Sequence, residues 1–191
     1  MSTARRDPPL NGVEIDITED QVVRSYALRE TMPDQIHKSF TKGKSTIFGC
    51  AGEIIVSDYF GGELKQNKDY DMVLTSGKMR RNPFCNIING AMDMNGGEVR
   101  CEIKTKKTTV APKEDYANSI ARFSAHQDCD LYIFVRVLDD STKAWITGVV
   151  PSPVFYKKAS FHQRGEKDRS NNFTFQADCW NMSIKESLEL C

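Results

Sequence analysis

Two stretches in the first third of the chain carry apolar residues at helical spacing. The first begins at Thr18, a residue type suited to the N-cap, and is followed by Glu19 and Asp20. The second covers residues 47–60 and stops at the pair Gly61-Gly62. The pattern predicts two helices, the first with an apolar side made of Val22, Val23, Tyr26 and Leu28.

Apolar runs of strand length dominate the rest of the chain. They predict strands at residues 68–75, 98–105, 131–138 and 145–150. Between them the pattern predicts a helix over residues 115–127, and Pro151 opens a short helix. Residues 76–94 show no long clear element. At the C-terminal end we expect one more strand over 171–176 and a closing amphipathic segment over 184–190.

The order of these elements predicts the fold class. Helices alternate with pairs of strands, which favours an α/β protein, a three-layer α/β/α sandwich with a mixed central β-sheet. Residues 1–12 are polar and are expected to form a flexible N-terminal segment. Residues 13–191 are then most simply a single domain.

Composition indicates the cellular compartment of the protein but says little about its chemical activity. The formal net charge is zero, so attraction to nucleic acid needs a local basic patch. Six cysteines without a C-x-x-C pair indicate reduced thiols, with neither structural zinc nor a disulfide framework. The first residues lack a signal-peptide core, and no apolar run reaches membrane-spanning length, so we expect a cytoplasmic protein without a membrane partner.

Acidic residues on two predicted strands are the candidate chemistry. Glu102 and Lys104 lie two positions apart and therefore share one face of their strand. If the strand containing Asp71 pairs with it, the two carboxylates converge on one Mg²⁺, for which Mn²⁺ is a substitute, and the backbone carbonyl of Ile103 adds another oxygen ligand. Lys104 is then placed to orient the attacking water or to neutralise charge on the phosphate. A solvated polar strand face is the alternative, because E-x-K alone is common.

Glu53 is unusual because its helix is almost entirely small or apolar. A carboxylate in such surroundings is costly unless it faces a cation or water. Glu53 therefore joins the candidate metal and catalytic residues. The alternative is that it lies at the solvent edge of the helix.

These motifs occur in an ordered series. A helix with Gly52-Glu53 ends in an aromatic residue, the strand with Tyr70-Asp71 follows, then Glu102-Ile-Lys-Thr, a helix and the apolar strand that begins at Asp130. The series resembles the PD-(D/E)XK nuclease superfamily over a core of about residues 46–150. Tyr70 stands where that superfamily has its name-giving proline, and the insert at 76–97 is unusually long.

The resemblance implies a restriction endonuclease-like core and assigns roles within it. Asp71 matches the metal-binding aspartate, Glu102 and Lys104 match the E-x-K pair, and Glu53 matches the acidic residue of the first core helix. The implied function is a Mg²⁺-dependent nuclease acting on DNA, with an endonuclease favoured and a phage or restriction setting, in the host cytoplasm if phage-encoded. By analogy it works as a homodimer on duplex DNA.

Two other functions stay open. The chain is alternatively an inactive nuclease-like module that binds nucleic acid or protein, or an RNA endonuclease of the same fold. Nothing in the sequence identifies a base-stacking platform or a reader of the 2′-hydroxyl. Candidate contacts to nucleic acid, for which a solvated surface is the alternative, are Lys106, Lys107, Lys78, Arg80, Arg81, Ser119 and Arg122.

Overall fold

The strands form a mixed six-stranded sheet and a separate three-stranded antiparallel sheet. A computed structural model of the chain describes residues 12–31, 47–65, 67–76, 82–125, 127–168 and 173–190. The strands in these ranges are β1 Val13–Asp16, β2 Glu63–Leu64, β3 Met72–Thr75, β4 Glu98–Thr108, β5 Ala117–Ala121, β6 Leu131–Leu138, β7 Lys143–Pro151, β8 Ser160–His162 and β9 Cys179–Ser183.

The larger sheet is mixed, as the sequence predicts. Its spatial order is β1-β7-β6-β4-β3-β2, in which β4 and β6 run parallel and every other neighbouring pair runs antiparallel. Strand β6 lies inside this sheet and is apolar along most of its length because both of its faces are covered. The fold is therefore α/β with a mixed sheet.

One face of the large sheet is covered by helices. These are α2 Ile47–Phe60, whose predicted bounds are confirmed, and α3 Cys85–Met94, while α1 Glu19–Thr31 packs against α2. The main core lies between these helices and the sheet. It includes Ile55 of α2, Ile88 of α3 and Ile133 of β6, all fully buried or nearly so.

The opposite face is covered by the smaller sheet, of order β5-β9-β8, and by α4 Ser152–Lys158. Tyr132 and Phe134 of β6 project to this side and pack with Phe155 of α4, Ile120 of β5 and Met182 of β9. The short helix after Pro151 is thus confirmed. The closing segment is confirmed as α5 Ile184–Leu188, which packs along β7.

The predicted helix over residues 115–127 is wrong. This segment forms β5 and a short 3-10 helix, Arg122–Ser124. Within β5, Asn118 and Ile120 are buried and their neighbours are partly exposed, which is the alternation of a strand. Pairing with β9, a strand that the sequence pattern did not reveal, outweighs the local preference for a helix.

Helix α3 is a second correction, because residues 76–94 carry no clear element in the sequence. Its N-terminus has no side-chain cap, and the segment is poor in strong helix formers. The helix buries Ile88, Ala91 and Met92 against the large sheet. Tertiary packing therefore stabilises a helix that propensity does not predict.

Helix α1 begins where predicted but presents a different side to the core. The Thr18 hydroxyl accepts a bond from the Gln21 amide at 3.2 Å, and the Gln21 side chain accepts from the Thr18 amide at 3.1 Å. Val23 and Tyr26, expected on the apolar side, are exposed, while Gln21 and Ser25 are buried. Polar bonds to Asp58 of α2, rather than apolar contact, set the orientation of this helix.

The remaining differences concern short strands. Strands β1, β2 and β8 were not predicted, and β3 begins at Met72, four residues later than expected. In place of the strand predicted over 171–176, the described residues form an isolated bridge between Lys167 and Thr174. Residues 1–11, most of the predicted N-terminal segment, lie outside the described residues, as do 77–81. In the described ranges no helix combines the length and apolar character needed to cross a bilayer.

Candidate active site

Asp71 and Glu102 meet where strands β3 and β4 begin to separate. Met72 pairs with Cys101, and Asp71 is the residue just before this pair, with its amide donating to the Cys101 carbonyl at 3.0 Å. Beyond this point the Asp71 carboxylate replaces the main-chain partner, because its Oδ2 accepts the Ile103 amide at 2.8 Å. The side chain of Asp71 is therefore fixed to β4 next to Glu102.

Glu102 and Lys104 lie on the same face of β4, as their spacing predicts. The Lys104 ammonium donates to Glu102 Oε1 at 2.7 Å and to Gln127 Oε1 at 2.8 Å. Glu102 is only 6% exposed, and its second oxygen, Oε2, is buried with no hydrogen-bond partner. A buried carboxylate oxygen without a donor is costly, so this atom is suited to a cation.

Glu53 reaches the same place from the helix layer. Its helix, α2, packs on β4 at a glycine: a Cβ on Gly52 would lie 2.0 Å from Thr105 Oγ1. This close approach lets Glu53 line one cavity of about 440 Å³ together with Asp71, Glu102, Ile103 and Lys104. The described structure thus brings together all the residues proposed from the sequence for catalysis and metal binding.

Electrostatics in this cavity favour an added positive charge. Burial, and then the charge of Glu102, raise the pKa of Glu53 to about 7. Burial, with the charges of Glu102 and Glu53, also raises the pKa of Asp71 well above its usual range, although the Ile103 amide and Lys104 act in the opposite direction. Three carboxylates facing one ammonium are under-neutralised, a condition that a divalent cation relieves.

The available ligands suit Mg²⁺, which takes part of its coordination from water and phosphate, better than a metal whose ligands all come from the protein. Among the described residues, no three His, Cys, Asp or Glu side chains are close enough to form a complete metal site by themselves. Mg²⁺ keeps several waters and is bound through one or two carboxylates plus substrate phosphate. Asp71 and the unpartnered oxygen of Glu102 supply that minimum, with Glu53 as a further carboxylate. The Ile103 carbonyl remains a prediction; what is seen is that Ile103 lines the cavity.

The residues predicted to contact nucleic acid are divided by the structure. Lys106 and Ser119 line the cavity, and the Lys106 ammonium donates to Ser119 Oγ at 2.7 Å. Arg122 does not line it and pairs with Asp178 at 3.2 Å. The Lys107 ammonium lies over the Phe48 ring of α2, 5.6 Å from its centroid, on the helix side. Three candidates, Lys78, Arg80 and Arg81, lie outside the described residues.

Sequence reasoning missed two residues of this cavity region. Gln127, which holds the Lys104 ammonium, was expected at the end of a helix that does not exist. Arg136 of β6 lines the cavity and is 8% exposed, but in the sequence it is a single charge within an apolar strand. Neither carries a local signal, because Arg136 reaches the site through the pairing of β6 with β4 and Gln127 through its bonds to Lys104 and to the Lys68 carbonyl.

A second Glu-x-Lys sequence in the chain shows what the local motif does by itself. Glu63 and Lys65 flank Leu64 on β2 and form an ion pair at 2.5 Å, yet both side chains are largely exposed and neither lines the cavity.

Comparison of the sequence with models of protein families and with curated proteins finds no match. The chemical argument therefore depends on the geometry of this cavity.

We expect Glu53 to make the metal-free protein less stable at higher pH. Its native pKa of about 7 exceeds the ordinary value of 4.5, so between these values the native state holds a proton that the unfolded chain has lost. The free energy of unfolding then falls as pH rises through this window, by about 3 kcal/mol at most. Urea unfolding in EDTA, repeated from about pH 5 to pH 8, measures the slope.

Glu53→Gln removes one of two titrating groups and is expected to reduce this slope relative to the wild type, while the part due to Asp71, whose pKa is also raised, remains. Glu30→Gln, at an exposed site on α1, is the matched control and should leave the slope unchanged. If the wild type and Glu53→Gln lose stability equally over this range, Glu53 is not the buried acid that the structure indicates.

Proposed function

We propose that this protein is a Mg²⁺-dependent nuclease that hydrolyses phosphodiester bonds of DNA, most simply as an endonuclease. The observation that carries the proposal is the partnerless buried oxygen of Glu102, which shares a cavity with Asp71, Glu53 and Lys104. In a buried ion pair with a purely structural role, both carboxylate oxygens are expected to have hydrogen-bond partners. A site built to bind a cation leaves one of them free.

The fold supports the same proposal at a coarser level. The helices α2 and α3 cover one face of the mixed sheet, and the two acidic positions lie at the point where adjacent strands β3 and β4 separate. We propose that these elements form the restriction endonuclease-like core that the sequence resembles. The opposite face differs from a simple helical third layer, because a small sheet and α4 cover it together.

Asp71 and Glu102 would hold the cation in the proposed reaction. When bound, a divalent cation lowers the pKa of water and neutralises charge on the phosphoryl oxygens. Asp71 is locked by the Ile103 amide and Glu102 by Lys104, so both carboxylates are preorganised. Water loses a proton to solvent as it attacks phosphorus, a new P–O bond forms, the ester bond to the leaving oxygen breaks, and that oxygen takes up a proton from solvent.

Lys104 is the donor best placed to act on the reacting phosphate. Its ammonium is held between Glu102 and Gln127 and is about one-fifth exposed on the cavity side. A positive charge fixed in a partly dry cavity stabilises developing negative charge more strongly than it would in water. Lys104 therefore orients the nucleophile or stabilises the transition state.

Incubation of the purified protein with supercoiled plasmid, linear DNA and RNA tests the proposal. Each substrate is combined with Mg²⁺, Mn²⁺ or EDTA. We expect nicking or linearisation of the plasmid with either metal and none in EDTA. Cleavage of RNA alone would replace DNA as the substrate. If no nucleic acid is cleaved and calorimetry detects no Mn²⁺ binding, the nuclease proposal is wrong.

A further inference from the structure

A second cavity adjoins the proposed active site. It has a volume of about 620 Å³ and lies between β4, β6 and the small sheet. The two cavities share four lining residues, which are Lys106, Ser119, Arg136 and Cys179. Whatever occupies the second cavity therefore lies next to the proposed site of cleavage.

Two cations at this junction are not neutralised. In the described part of the chain, neither Lys106 nor Arg136 forms an ion pair with a carboxylate. Lys106 donates to Ser119 Oγ and the Ala117 carbonyl, and Arg136 Nη2 donates to the same carbonyl at 2.9 Å. Arg136 is 8% exposed, and its Nε–H is buried with no acceptor.

Such an arrangement favours an anionic ligand. The ammonium of Lys106 lies against the Ala117 carbonyl and Ser119 Oγ, although the residue as a whole is exposed. Desolvation of this end, with the charge of Arg136, lowers the pKa of Lys106 to about 8. Buried or crowded cations without counter-ions are costly, and a phosphate contributes acceptors for both. The Tyr116 ring, whose centroid lies 5.2 Å from the Arg136 guanidinium carbon, holds Arg136 in place without neutralising it.

An exposed aromatic ring stands on the wall of the same cavity. Phe173 is 53% exposed, and it meets Phe175 at 90° with ring centroids 5.6 Å apart. Phe175 is itself buried and stacked on His162, with centroids 4.3 Å apart. A large apolar ring that is exposed but anchored from behind is suited to stacking with a nucleic-acid base.

We infer that the second cavity binds one unpaired nucleotide adjacent to the cleaved bond, with a phosphate at Lys106 and Arg136 and its base on Phe173. The inference rests on the proposed nuclease function and specifies its substrate. A base within a duplex is stacked on its neighbours and is not free to reach Phe173, so the nucleotide must be single-stranded or extruded. Asp115 also lines the cavity, and its charge disfavours a second phosphate there.

Binding without cleavage tests this inference. Fluorescence anisotropy in EDTA compares the full chain on a short single-stranded DNA and on a blunt duplex of the same length. We expect the single strand to bind at least about tenfold more tightly. Phe173→Ala should weaken single-strand binding by about tenfold and duplex binding by less, because extrusion of a base from the duplex opposes the same contact. Lys106→Gln should lower the slope of log affinity against log salt by about one.

Phe161→Ala is the matched control, because Phe161 is 41% exposed but packs on Trp180 and does not line the cavity. Equal affinity for both substrates, or equal effects of the two phenylalanine variants, would overturn the inference. Because the assay contains no divalent metal, a preference for the single strand in a protein that never cleaves would reject the nuclease and keep the nucleotide site. Cleavage of DNA without a preference for the single strand would reject the nucleotide site and keep the nuclease.

Discussion

Lys104→Met is expected to reduce metal-dependent DNA cleavage by about 10³-fold while the protein stays folded. Methionine keeps an unbranched side chain of similar length but removes the ammonium that Glu102 and Gln127 hold in the cavity. If that charge stabilises the transition state, its loss lowers the rate of the chemical step and leaves substrate binding nearly intact. Rates of plasmid cleavage with saturating Mg²⁺, together with circular dichroism, measure activity and folding.

The chain supplies a matched control for this substitution. Lys65→Met alters the exposed Glu-x-Lys pair that begins on β2, which has the same local sequence pattern and the same kind of ion pair. We expect its cleavage rate to match the wild type. Asp71→Asn should instead abolish cleavage and weaken Mn²⁺ binding in calorimetry, since it removes a proposed ligand. Full activity in both Lys104→Met and Asp71→Asn would remove the basis of the proposed mechanism.

Gly52→Ala is expected to destabilise the protein by about 1–3 kcal/mol, although the same change usually stabilises a helix. The added Cβ would lie 2.0 Å from Thr105 Oγ1 and 3.0 Å from Thr105 Cβ and Cγ2. Rotation of the Thr105 side chain moves Oγ1 and Cγ2 but leaves Cβ in place, 3.0 Å from the added carbon. Helix α2 must therefore move away from β4, which also displaces Glu53. Urea unfolding monitored by fluorescence measures the loss.

Gly90→Ala tests the same substitution without the clash. Gly90 is in α3, is exposed, and a Cβ there would meet nothing within 4 Å. We expect this variant to gain about 0.5–1 kcal/mol from helix propensity. Thr105→Ala should restore part of the stability of Gly52→Ala. Its own cost should be small, because Thr105 Oγ1 is buried without a hydrogen-bond partner. Equal stability of Gly52→Ala and Gly90→Ala would contradict the close packing of α2 on β4.

Local patterns determined the elements with strong periodicity. The helix over 47–60 and the strand over 131–138 are each specified by one dominant repeat of apolar residues, and both have the predicted bounds. The first helix begins at Glu19, directly after its N-cap Thr18, because an N-cap acts within a single turn. The sequence also places Glu102 and Lys104 on one face of a strand, since that follows from backbone geometry alone.

Non-local pairing explains the failures. Residues 117–121 form a strand because β9, about sixty positions later in the chain, provides its hydrogen-bond partners. Residues 85–94 form a helix because the large sheet buries its apolar side. Val23 and Tyr26 are exposed because Asp58 binds the other side of α1. No window of local sequence contains these partners.

The sequence by itself determined which residue types could hold a cation and which two of them share a strand face. Only the tertiary structure decided which Glu-x-Lys pair faces a cavity. Glu63 lies on the edge strand β2 with Lys65 directly after it, whereas Glu102 and Lys104 lie on a central strand beside Asp71 and beneath α2. It also decided that Gln127, Arg136 and Phe173 belong to the region of the site. The physical reason is that burial and charge neutralisation depend on what the fold brings near a side chain, and neither is encoded in its immediate neighbours.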